Sequence, residues 1–148
     1  MQQEAPDFAD RVRRVFDHRR HKTLATLRAD GSPRISGIEL EFRDGEVLMG
    51  FMPGSRKLGD VRRDPRLAVH GLSEDPPEAD PGAWAGDAKL AGRAVEIFDR
   101  GPAGASEASP RFRIDISEVV LTRVGEPADH LVIESWHPGG GLRTRQRR

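Results

Sequence analysis

Residues 23–52 read TLATLRADGSPRISGIELEFRDGEVLMGFM, and this stretch decides the fold class. Two Asp-Gly pairs, Asp30-Gly31 and Asp44-Gly45, punctuate it. Such pairs accept the positive φ angles of tight hairpin turns. Between them Ile38, Leu40 and Phe42 alternate with Glu39, Glu41 and Arg43, the period-two pattern of a half-buried strand. The stretch predicts three strands, over 23–28, 34–43 and 46–52, joined as an antiparallel meander. The third is apolar on both faces and is expected to be central.

Upstream, Phe8, Val12, Val15 and Phe16 make one apolar stripe at helical spacing, with Asp7 placed to cap the helix or sit in its first turn. Downstream, Gly54-Ser55-Arg56-Lys57 turns the third strand into a short helix. Leu58 and Val61 form that helix's buried side, and Pro65 ends it. Further strands are expected over 66–72, 88–98, 112–124 and 131–136. An acidic loop rich in proline and glycine spans 73–87, and a second connection spans 99–110. The tail from about residue 139 reads as flexible and basic. The chain has no internal repeat and reads as one mainly β domain over 1–148, with about six to seven antiparallel strands, an N-terminal helix and a short helix after strand three. Closure into a barrel would remove the sheet edges. Periodicity alone does not separate a barrel from a sandwich.

Composition narrows the function classes. The 148 residues include 24 basic and 24 acidic side chains, so nothing global favours a nucleic-acid partner. The absence of cysteine excludes disulfides, thiolate metal sites and cysteine nucleophiles. No run of 18 apolar residues suggests a membrane span, and the N-terminus lacks the basic and apolar regions of a signal peptide. A cytoplasmic location is the resulting expectation. Hydrophobic residues make up only 36 % of the chain, a level at which oligomerisation often supplies extra buried area.

The chemistry concentrates at the corner after strand three. Gly54 permits a sharp turn, Ser55 offers a cap or a free hydroxyl, and Arg56 and Lys57 bring two cations to a helix N-terminus. This is the make-up of a phosphate site. Taken alone, it is equally the make-up of a capped surface helix.

The five histidines show no zinc spacing, so no metal is expected. His18 and His21 suit a helix C-terminus, and His70 suits a strand. His137 either reaches a site or lies exposed. No Gly-x-Ser-x-Gly elbow supports a hydrolase. Trp84 either packs the acidic loop down or covers a planar ligand. Trp136 fits core or interface packing. Arg143, Arg145, Arg147 and Arg148 read as a solvated tail, with contact to an acidic ligand or partner as the other reading.

Two segments together, 23–34 and Ser55-Arg56-Lys57-Leu58-Gly59-Asp60-Val61-Arg62-Arg63-Asp64-Pro65-Arg66, resemble the pyridoxamine 5′-phosphate oxidase-like family. The resemblance spans roughly residues 8 to 138. It implies a split β-barrel that dimerises, with cofactor sites at the dimer interface. The implied cofactor is FMN, or in one branch the deazaflavin F-420, or in a few relatives haem. Lys57 matches the family's phosphate-binding lysine, with Ser55 and Arg56 as its neighbours and Gly54 and Met52 leading into it. Arg34, Ser36 and Ile38 match the segment beside the flavin, with Ser36 and Ile38 lining the ring. His70 and Trp136 are further candidates near it. The segment Ile133-Glu134-Ser135-Trp136-His137 partly echoes the substrate motif of the true oxidases, but Leu142 stands where their arginine would be. The resemblance thus favours a flavin- or deazaflavin-dependent oxidoreductase acting on a small organic molecule over pyridoxal phosphate synthesis. A non-catalytic flavin- or haem-binding protein is the alternative. No residue stands out as a proton donor.

Overall fold

Twelve elements follow one another in a computed structural model that describes residues 1–98 and 109–148. They are α1 (Pro6–Asp17), β1 (Lys22–Leu27), β2 (Pro33–Ile38), β3 (Leu40–Arg43), β4 (Glu46–Gly50), α2 (Arg56–Arg63), β5 (Arg66–Leu72), a 3-10 turn (Pro81–Ala83), β6 (Asp87–Ile97), β7 (Arg111–Val124), β8 (Leu131–His137) and β9 (Gly141–Arg147). Most of the connection expected over 99–110 lies outside the described residues.

The expected second strand, 34–43, is two strands. Its first half, β2, pairs antiparallel with β1, and its second half, β3, pairs with β4. The hydrogen-bonded order runs β2-β1-β5-β6-β7-β4-β3. The two ends of that path are consecutive in the chain, with Glu39 between them. Closure therefore comes from one strand that bends at Glu39 and changes partner. Glu39 is held from the α1–β1 link by Arg20, 3.0 Å away, and His21, 3.3 Å away. The Asp44-Gly45 turn has positive φ at both residues, 51° and 80°, as a two-residue hairpin requires.

The barrel is split along β7. Its start pairs with β4 and its end with β8, while β6 runs along its other edge. The tail read as flexible is instead a strand: β9 pairs with β8 from Leu131↔Arg147 to His137↔Gly141. Its alternation of arginine with Leu142, Thr144 and Gln146 carries no apolar signal, and only pairing with β8 orders it.

α1 begins with Pro6 in its first turn and buries Phe8, Val12, Val15 and Phe16 against the sheet, as its stripe predicts. An ion pair fixes its position. Glu134 of β8, 6 % exposed, accepts two hydrogen bonds from Arg11, at 2.5 and 2.7 Å. The Arg11 guanidinium holds the Glu134 carboxyl below the usual carboxylate range.

At the β6–β7 pair the register slips between Ala91 and Gly92. A Cβ on Gly92 would stand 2.3 Å from the Asp115 carbonyl oxygen. Backbone, not a movable side chain, occupies that space. Gly92→Ala is expected to cost about 1–3 kcal/mol through forced overpacking. A thermal melt coinciding with that of the wild type would show that the bulge relaxes instead.

Candidate functional site

The corner between β4 and α2 is built as its sequence suggests. Phe51 is anchored in the core and its N–H donates to the Pro110 carbonyl at 3.0 Å. Gly54 then takes φ +73°, which lets the chain reverse into α2. Ser55 is the N-cap residue, and its carbonyl accepts the first helical bonds, from Leu58 and Gly59. The N–H groups of Arg56 and Lys57 precede those bonds and point out of the helix start.

Ser55 departs from the capping role. Its hydroxyl makes no capping bond, is shielded from solvent and has no hydrogen-bond partner. A buried hydroxyl without a partner is costly and uncommon. Beside it, Arg56 is exposed, and Lys57 is half-buried, donating from Nζ to the Gly37 carbonyl at 2.5 Å. The lysine is thus held across from the helix start and bonded to β2. Met52, 77 % exposed, stands at the entrance to the corner.

Strand alternation divides the β2 candidates. Arg34, Ser36 and Ile38 point inward, while Ile35 and Gly37 point outward. Ile38 is 4 % exposed in the core, so it does not reach the surface near Lys57. Arg34 is committed to a buried carboxylate that sequence reasoning did not single out. Asp60 of α2, 3 % exposed, accepts hydrogen bonds from Arg34 Nε at 2.6 Å, Thr26 Oγ1 at 2.9 Å and Arg63 at 3.0 Å. Burial opposes its ionisation, but those three donors prevail and hold its pKa at about 2. Sequence carried no signal for it, since Asp60 stands off the Leu58–Val61 stripe at helical spacing.

Cross-strand register brings His70 into the site's row. Gly37 pairs with Thr23, Thr23 with His70, and His70 with Lys89, all on the outward face. His70 Nε2 lies 3.1 Å from Asp87 Oδ2. The adjacent row on that face joins Ile35, Ala25, Ala68 and Ala91. It is a flat strip of small side chains bordered by Ile35, which is 74 % exposed.

Trp136 is not brought to this face. It is 4 % exposed in the core, and its indole N–H donates to Glu4 Oε2 at 3.0 Å. Trp84 donates to the Glu74 carbonyl at 2.7 Å, which packs the acidic loop upon itself. A cavity of about 840 Å³ lies elsewhere again, between the N-terminal residues, Phe42, Ile116 and Trp136, and no residue of 54–57 lines it. Among the described residues no cluster of metal ligands occurs and no helix is long and apolar enough to cross a membrane.

No family model matches the sequence, and no curated protein is similar to it. Solved structures are similar in fold. A pyridoxamine 5′-phosphate oxidase-related, FMN-binding protein from Nostoc punctiforme superposes with a TM-score of 0.66 at 12 % identity, covering 97 % of this chain and 95 % of that one. An F-420 reductase gives 0.55 at 11 % identity, covering 72 % and 93 %. A heme binding protein from Mycobacterium smegmatis gives 0.57 at 12 % identity, covering 94 % and 87 %. The path of the strands, the closure at Glu39 and these superpositions agree: the chain has the split β-barrel fold of the pyridoxamine 5′-phosphate oxidase-related proteins.

Proposed function

We propose that the chain is a homodimeric flavoprotein that binds FMN, or the deazaflavin F-420 in its place, and reduces or oxidises a small organic molecule by hydride transfer. The observation that carries this reading is the Ser55 hydroxyl, shielded and unpartnered at the start of α2. A phosphate oxygen would accept its proton together with the N–H groups of Arg56 and Lys57. Lys57 would add a charge-assisted bond on exchanging its Gly37 carbonyl for the phosphate. Gly54 keeps the approach free of a side chain. When bound, the isoalloxazine or deazaflavin ring supplies the hydride chemistry. The chain's own part is to fix the phosphate end and to offer the flat Ala25–Ala68–Ala91 strip, next to Ile35 and His70, as a surface for a planar group.

The same face supports the dimer. Ile35, at the border of that strip, and Met52, at the corner, are large apolar side chains left in solvent, and a second subunit would cover them. Haem is the second reading. His70 is oriented by Asp87 as a ligating imidazole is oriented by an outer carboxylate.

One preparation tests these readings. The absorbance spectrum and mass of the co-purifying small molecule, with light scattering on the same sample, should show a flavin or deazaflavin on a particle of twice the chain mass. A Soret band selects haem. A colourless monomer that also fails to take up added FMN overturns the proposal. Turnover with a panel of acceptors at no more than the free-cofactor rate reduces it to a binding protein.

A further inference from the structure

β9 has one neighbour. It pairs with β8, and among the described residues its other edge carries no strand. Arg143, Arg145 and Arg147 lie on one face of it, opposite Ser135, Ile133 and Leu131 of β8. All three are exposed, and none makes an ion pair among the described residues. From Pro138 to Arg148 the chain holds four arginines and no carboxylate, although the whole chain is neutral.

We propose that β9 is a docking edge for an extended segment that carries carboxylates at every second residue. The argument is one of repeat and sign. Strand residues rise about 3.4 Å each, so alternate arginines recur about every 6.8 Å. An added strand with alternate Glu or Asp has the same repeat, and its main chain completes the open ladder while its carboxylates meet the guanidinium row.

Other occupants fit less well. A second β9 pairing in a register that sets arginine against arginine would oppose like charges. The chain's own acidic loop carries Pro76, Pro77 and Pro81, which cannot donate to a ladder. A single-stranded nucleic acid would want aromatic platforms, and residues 138–148 contain none.

The test uses the full-length protein and fluorescence anisotropy with a labelled peptide of about five Glu-Thr repeats. Its block isomer, with all Glu first and all Thr after, has the same charge but the wrong repeat. The alternating peptide should bind at least about fivefold more tightly than the block isomer, and deuterium uptake at 142–147 should fall on binding. Replacing Arg143, Arg145 and Arg147 together by serine should weaken binding by about tenfold or more, with an unchanged far-UV spectrum confirming the fold. Charge reversal at the same three positions should transfer binding to a Lys-Thr repeat. Equal affinity for the two isomers, equal affinity for oligothymidylate, or no binding up to about 1 mM peptide would each overturn the proposal.

Discussion

Replacing Lys57 by alanine is expected to weaken FMN binding roughly 10- to 100-fold, the equivalent of one charge-assisted hydrogen bond of about 1.5–3 kcal/mol. A fluorescence titration of wild type and variant measures it. The fold should tolerate the change, because the side chain's one bond in the structure is to the Gly37 carbonyl at the surface. Lys57→Arg should recover part of the loss, since charge is kept but the compact ammonium is not. Ser55→Ala gives a second reading of the same site. It removes a shielded hydroxyl that has no partner, so stability should hold or rise while affinity falls. An affinity for FMN within twofold of wild type in Lys57→Ala would show that the phosphate, if bound, sits elsewhere.

Asp60→Ala is expected to destabilise the fold strongly. It strips Arg34, whose side chain is 19 % exposed, of its counter-charge inside the barrel end. Breaking a buried pair from one side costs about 3–5 kcal/mol. For a chain of this size that lowers the melting temperature by on the order of 10 °C. Thermal melts of the variant and of wild type decide it. A loss near zero would mean that Arg34 swings to solvent. The same carboxylate gives the protein an acid limit. Its pKa is about 2 when folded, against an ordinary carboxylate value near 3.8. As pH falls from about 4 to 2 the unfolded chain takes up the proton first, so Asp60's contribution is present above that window and is lost within it. Glu134, held low by Arg11, adds a loss of the same sign. Denaturant midpoints across that range should fall with pH, and the fall should be shallower in Asp60→Asn.

Much of the fold was legible because its decisive features are local. The Asp-Gly turns, the α1 stripe and the Pro65 stop each announce themselves within a few residues. What was not legible depends on partners distant in sequence. No turn residue in 34–43 marks the change of partner at Glu39, because the chain stays extended through it. β9 has no apolar face, so only β8 makes it a strand. The candidate site divides the same way. The corner at 54–57 was visible as turn chemistry plus charge. Asp60 was not, since a carboxylate on a charged helix looks solvated until Thr26, Arg34 and Arg63 converge on it. For β2, the alternation that marked Ile38 as a core residue also carries it away from the Lys57 surface.

The bend at Glu39 has a mechanical consequence. Everywhere else around the barrel, neighbouring strands are riveted by rows of backbone bonds, and spreading them means breaking several at once. Among the described residues β2 and β3 do not pair, so the seam between them is held by chain continuity at Glu39, itself pinned by Arg20 and His21. Widening that seam is the softest way to deform the barrel. Gly37, to which Lys57 is tethered, lies two residues from it. Breathing of the barrel at that seam therefore reaches the carbonyl that tethers the lysine within two residues.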